Sequence, residues 1–203
     1  MSQAELEELV VDDARAWRRW LGRNHGRDAG VWLVLAKKGT IKPTSLSYAQ
    51  ALDEALCHGW IDGQVRRRDE GTFFQRFTPR RARSAWSKRN VGHVERLVAE
   101  RRMTPAGIAE VERAKADGRW EEAYAGQATI EMPDDLRAAL DASRRAAAAF
   151  ERLSGQNRYA ILYRLGTLHR ADTRTRRIEQ YVAMLERGET IHPQRRPAGG
   201  QAD

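Results

Sequence analysis

Residues 47–90, SYAQALDEALCHGWIDGQVRRRDEGTFFQRFTPRRARSAWSKRN, decide the fold. Tyr48, Ala51, Leu52, Ala55 and Leu56 recur at the i, i+3, i+4, i+7, i+8 spacing that puts apolar side chains on one face of a helix. Ser47 and Gln50 stand where a capping box forms, the hydroxyl accepting from the third helical N–H and the amide reaching back to the cap. Gly59 follows the last apolar turn and supplies the left-handed residue that ends such a helix. Two strand-like runs come next, 60–65 and 72–78, and Asp69-Glu70-Gly71 between them is turn chemistry, so the runs pair as an antiparallel hairpin.

Outward from this stretch, Leu6, Leu9 and Val10, then Ala14, Trp17 and Leu21, fit helical spacing, with Asp12 or Asp13 as a cap. Residues 30–38 form a continuous apolar run, the pattern of a central strand covered on both faces. Ser87 caps a further helix with Val91, Val94, Leu97 and Val98 inward, and Thr104-Pro105 starts another that ends at Asp117-Gly118. After a loop-like segment at 124–133, four helical patterns follow at 134–140, 144–153, 157–169 and 172–187, rich enough in Leu, Ile and Phe for a small helical lobe. The expected architecture is α+β: a small antiparallel β-sheet flanked by helices over residues 1–124, a helical C-terminal lobe over 125–188, and a disordered polar tail over 189–203 whose removal changes the melting temperature by no more than about a degree.

Several ordered motifs carry a family resemblance: Leu56-Cys57-His58-Gly59-Trp60-Ile61-Asp62-Gly63, Arg76-Phe77-Thr78-Pro79-Arg80-Arg81, Ser84-Ala85-Trp86-Ser87-Lys88-Arg89-Asn90, Met103-Thr104-Pro105-Ala106-Gly107 and Gly118-Arg119-Trp120. With Leu153-Ser154 and Thr173-Arg174-Thr175-Arg176-Arg177-Ile178-Glu179, the chain resembles the YdeI/OmpD-associated, bacteriocin-protection family over roughly residues 15–190. The resemblance implies a role in stress or antimicrobial-peptide resistance, and a protein partner in an envelope-stress response. It brings no catalytic residues with it.

The chain has 203 residues, is 41% hydrophobic, and carries a formal charge of +8 with a sequence pI of about 10.1, which favours anionic partners. A single cysteine excludes an internal disulfide and suits a reducing compartment. The first residues are acidic, without a basic start or apolar h-region, and no run of 18 apolar residues occurs. The expectation is a cytoplasmic protein without a transmembrane segment.

Catalytic and metal chemistry find little support in the spacing. Cys57 and His58 are sequence neighbours, which on a helix point about 100° apart, so they do not form a dyad. Cys57 reads as a partly or wholly buried thiol of ordinary reactivity. Glu54 and His58 share a helix face, either as a carboxylate-oriented base or as a helix-end ion pair. If 58–62 is extended, His58 and Asp62 fall on one face and, with Trp60, could line a pocket. The five histidines, His25, His58, His93, His169 and His192, lack ligand spacing, and the glycines lack the spacing of a phosphate loop, so no metal and no cofactor is expected. Gly63 reads as a strand bulge.

Charge is the more informative signal. Residues 64–102 hold twelve basic against four acidic side chains, an excess equal to that of the whole chain. Phe73, Phe74, Phe77 and Trp86 are interleaved with the arginines, the composition that stacks bases while neutralising phosphates, and also that of a half-buried hairpin with a solvated face. Arg76, Arg80, Arg81, Arg83, Trp86, Lys88 and Arg89 are therefore the candidate anion-binding residues. Four functions remain open at this level: a module for nucleic acid or another polyanion, an adaptor in stress physiology, an enzyme or binder for a small phosphorylated or carboxylated ligand, and an oligomerisation protein.

Overall fold

A computed structural model describes residues 6–127, 129–168 and 170–194. The chain forms two compact units, Met1–Ala123 and Tyr124–Asp203. In the first, a four-stranded sheet carries strands β1 (Glu8–Leu9), β2 (Val31–Ala36), β3 (Trp60–Arg67) and β4 (Thr72–Pro79) in the order β1-β2-β4-β3. Helices α1 (Ala14–Asn24), α2 (Tyr48–Cys57), α3 (Lys88–Ala99) and α4 (Pro105–Ala116) supply the rest of its core.

The α+β architecture is as expected, and the sheet gains a strand. The helical reading of Leu6, Leu9 and Val10 is overturned: Glu8 and Leu9 pair in parallel with Trp32 and Leu33, which makes the sheet mixed rather than antiparallel. Three apolar residues cannot by themselves separate a helical turn from a two-residue edge strand, and the tertiary partner decides. Internal β2 pairs antiparallel with β4, Val31 opposite Phe77 and Ala36 opposite Thr72, and β3 pairs with β4 around a register shift between Asp62 and Val65.

Strand alternation sorts the side chains. Val31, Leu33, Leu35 and Phe77 face the helices and join Trp17, Leu21, Leu52, Leu56 and Trp60 in one core. The Trp17 and Trp60 indoles hydrogen-bond, Trp17 Nε1 to Ala51 O at 3.1 Å and Trp60 Nε1 to His25 O at 3.0 Å, so neither of these two N–H groups is buried without compensation. On the opposite face Trp32 lies across from Arg76, and the Arg66 guanidinium covers the Trp32 and Phe74 rings at 5.0 and 4.3 Å while pairing with Glu8.

The caps form where the sequence places them. Asp13 accepts from Ala16 N–H at 2.8 Å, Ser47 and Gln50 make the complete capping box, Ser87 caps α3, and Thr104 caps α4 with Pro105 at the first turn. Gly59 has φ +77°, as the end of α2 requires.

The second unit packs α5 (Asp134–Asp141), α6 (Arg144–Glu151), α7 (Gly155–Gly166) and α8 (Ala171–Glu186) around Leu136, Leu140, Phe150, Ile161, Leu165, Tyr181 and Leu185. The expected disorder does not hold for residues 189–194. Asn157, 1% exposed, donates to His192 O and Gln194 Oε1 and accepts from His192 N–H at 2.8 Å, while Ile191 packs on the core, so residues 189–194 are docked. A segment with one apolar residue gives no periodicity to read; what holds it is a buried amide. Residues 195–203 of that expected tail lie outside the described residues.

Candidate anion-binding site

The site is built by the exit from β4 and the start of α3. Pro79 ends the strand, Arg80 N–H binds Gly59 O at 3.0 Å, and a turn closed by Ser84 N–H to Arg81 O at 2.9 Å leads to the Ser87 cap. Arg81 and Arg83 are exposed in this turn, and Lys88 and Arg89 are exposed on the first turn of α3. Arg89 also lies 5.9 Å over the Tyr48 ring, whose hydroxyl donates to Asp62 at 2.8 Å. Beside the turn is an open groove of about 310 Å³ lined by Gly63, Gln64, Arg76, Thr78, Pro79, Arg81 and Ser84.

Two of the seven anion-binding candidates are elsewhere. Arg80 is 6% exposed and Trp86 3% exposed: the guanidinium lies 3.5 Å above the Trp86 ring, which meets Trp120 at 4.9 Å and belongs to the first core. They anchor the turn from below, helped by Arg119 Nη1 donating to Ser84 O at 2.8 Å, and Trp86 presents no face on which a base could stack. Phe74 and Phe77 are likewise buried. The interleaving of aromatic and basic residues is here that of a half-buried hairpin.

The remaining cations are sorted by their partners. Arg66 pairs with Glu8, Arg68 with Asp69, Arg96 with Asp53 and Glu100, and Arg102 with Glu54 and Glu100. Among the described residues no carboxylate pairs with Arg76, Arg81, Arg83, Lys88 or Arg89, nor with Arg67 and Arg101 at the far ends of β3 and α3. Arg76 is half-buried, and its Nε is out of reach of water with no acceptor. Thr78, Ser84, Gln64 and Gly63 were not among the sequence candidates. Thr78 was findable, two residues from Arg76 on the same strand face, whereas Ser84 enters through the fold of the turn.

The structure does not set His58, Trp60 and Asp62 along one strand face. His58 is the C-cap of α2 rather than a strand residue, so alternation does not align it with Asp62, and Trp60 is fully buried. Nor is His58 paired with the Glu54 carboxylate, as base or as ion pair. A carbonyl only accepts, so the 2.8 Å contact with Glu54 O fixes His58 as the Nδ1–H tautomer. The Glu54 carboxylate instead binds Arg18 at 2.9 Å and Arg102 at 2.7 Å, tying α1 and the end of α3 to α2. Cys57 is buried, and burial with the neighbouring Glu54 charge pushes its thiol up to about 11, so it holds no thiolate at neutral pH. Among the described residues no group of three or more metal-ligating side chains comes together; His169 lies outside them.

Burial lowers the His58 pKa, with the Arg18 charge acting the same way and the Glu54 carbonyl opposing. A histidine depressed in the folded state binds fewer protons there, so its contribution is complete above the unfolded value of about 6.5 and is lost as pH falls below it. The melting temperature of the first unit should therefore drop as pH falls below about 6.5, and His58→Gln should flatten the profile there. An unchanged profile in the variant would show that His58 is protonated without penalty.

Residues 9–110 match a family model described as a domain of unknown function (DUF8412), and residues 129–188 match one described as bacteriocin-protection, YdeI or OmpD-associated. The second match is narrower than the resemblance over 15–190: the motifs from Leu56 to Gly107 fall within the first model, and those from Leu153 onward within the second. No curated protein and no solved structure matches the chain. No helix among the described residues is long and apolar enough to cross a membrane.

Proposed function

The chain belongs to the DUF8412 family through residues 9–110, just over half of its 203 residues, and we propose that this part is a non-enzymatic module that binds a polyanion, single-stranded nucleic acid above all. One observation carries the reading. The cations of the basic stretch divide into those that carboxylates neutralise and a set, Arg76, Arg81, Arg83, Lys88 and Arg89, that no carboxylate among the described residues pairs with; Arg76 and Arg81 line one groove, and Arg83, Lys88 and Arg89 are exposed just after it in the chain. Unneutralised clustered guanidiniums release counterions from a phosphate backbone on contact, which is the main source of sequence-independent affinity.

The match of residues 129–188 to a bacteriocin-protection family supports a role in stress or peptide resistance. Antimicrobial peptides are generally cationic, and a chain of +8 does not attract them at long range, so protection would act through an anionic third party or a partner protein. Because Trp86 is buried, the affinity is electrostatic rather than stacking in origin.

The test is the salt dependence of binding to a generic single-stranded oligonucleotide, read by fluorescence anisotropy between about 50 and 200 mM salt. With about 0.7 of log–log slope per neutralised phosphate, five cations give a slope near −3.5, and Arg81→Ala, Arg83→Ala and Arg89→Ala should each reduce it by about 0.7. No saturable binding at low salt, or binding indifferent to all three, overturns the proposal.

A further inference from the structure

We propose that the groove between Arg76 and Arg81 is a site for a phosphate monoester. The inference rests on the anion-binding reading of the same surface and names what that surface takes at its inner end. A diester inside a strand carries one negative charge, whereas a terminal phosphate carries about −1.5 to −2 at neutral pH and offers three acceptor oxygens. The groove answers the second pattern: two guanidiniums, each a fork of N–H donors, the hydroxyls of Thr78 and Ser84, and no carboxylate in its lining.

Arg76 strengthens the assignment. Its side chain is half-buried on the sheet face away from the helices, without a carboxylate, and its Nε is desolvated with no acceptor among the described residues. An unpaired cation taken partly out of water is costly unless an anion meets it, and Arg76 lines the groove. The wall opposite is the bulge in β3. Gly63 has no Cα partner in the register, and a Cβ added to it would stand 3.7 and 3.8 Å from Arg76 Cβ and Cδ, so a larger side chain at residue 63 would occupy space beside the Arg76 stem. A volume of about 310 Å³ is at the small end for ligand sites, sufficient for one phosphorylated sugar end. Arg83, Lys88 and Arg89, exposed within eight residues of Arg81 along the chain, add further positive charge at the exit from β4, which favours the end of a strand over a free metabolite as the source.

The experiment uses the full chain and one oligonucleotide sequence carrying a 5′-phosphate, a 3′-phosphate or hydroxyls at both ends, with a nucleoside monophosphate as a fourth probe. A strand phosphorylated at one end or the other should bind about tenfold more tightly than the unphosphorylated one at fixed salt, as charge-assisted contacts imply. Gly63→Val retains every cation, places a strand-forming side chain in the groove, and should remove that ratio at an unchanged melting temperature; if it lowers the melting temperature, Arg76→Gln serves instead. Equal affinity for all three strands overturns the monoester site and leaves the polyanion reading standing. A ratio that survives both variants overturns the assignment to this groove. If the nucleoside monophosphate binds and no strand does, the monoester site stands with a small metabolite as its source, and the polyanion reading falls. If nothing binds, both fall.

Discussion

Replacing Trp86 by alanine is expected to lower the stability of the first unit by about 3–5 kcal/mol, the range for removing a large aromatic from a core. The residue is 3% exposed, lies under the Arg80 guanidinium at 3.5 Å and meets Trp120 at 4.9 Å. Its loss opens a cavity and takes from Arg80, itself buried, the ring face on which the charge rests. For a unit of this size the change amounts to a fall in melting temperature on the order of 10–20 °C. The same turn carries Arg81 and Arg83, so anion binding should fall as well, but only because the turn unravels. Trp86→Phe separates the two effects. It retains most of the volume and deletes an indole N–H that has no acceptor among the described residues, so its cost should stay below about 1.5 kcal/mol with binding preserved. If Trp86→Ala melts like the parent protein yet binds oligonucleotide poorly, Trp86 is a stacking surface after all and the burial argument is wrong.

This pair of residues also shows where sequence stops being legible. The capping box at Ser47, the left-handed Gly59 and the Thr104-Pro105 start of α4 are local, and each can be read because its partner lies within four residues. So can the hairpin, whose Asp69 carboxylate accepts from Gly71 and Thr72 N–H at 2.9 and 2.7 Å. Which arginines are neutralised is not local. Arg102 finds Glu54 at a separation of 48 residues and Arg66 finds Glu8 at 58, so the count of basic residues in 64–102 overstated what is available to a ligand. Arg80 stands next to Arg81 in sequence, and only the fold reveals that one is a floor and the other a rim.

The second unit repeats the lesson in another form. Its helices were legible from apolar periodicity, but its edges rest on single polar residues. Asn157 reads as an ordinary helix-start amide near the Ser154 cap, and nothing nearby foretells that it clamps His192 and Gln194, 35 and 37 residues on. Arg174, within one of the family-like motifs, pairs with Asp135 and donates to Leu165 O at 2.6 Å, a structural task joining three helices. A motif can thus be specific to a family while recording how the fold is held rather than what it binds.

The close approach of α4 to α2 sets the other large effect, for Gly107→Ala. Thr104 donates through both N–H and Oγ1 to the Cys57 carbonyl, at 3.0 and 2.7 Å, so the start of α4 caps the end of α2. Gly107 sits in the first turn of α4 against the same group: a Cβ there would meet Cys57 O at 2.2 Å and its carbonyl carbon at 2.7 Å, both backbone atoms of a fully buried residue. Relief requires α4 to move outward by roughly 1 Å, which stretches or breaks the two Thr104 bonds and leaves a buried carbonyl short of donors. Overpacking costs about 1–3 kcal/mol and the unsatisfied carbonyl about 1–3 more, while the better helix propensity of alanine returns about 1 kcal/mol. The clash wins, with a net loss of about 2–4 kcal/mol expected in urea unfolding. Gly92→Ala provides the contrast. Gly92 is also interior to a helix, but it is exposed with no atom within 4 Å of an added Cβ, so only the propensity and chain-entropy terms remain and the variant should gain about 0.5–1 kcal/mol. Opposite signs for the same substitution in two helices would locate the contact; a stabilised Gly107→Ala would mean that α4 does not dock on α2 at this distance.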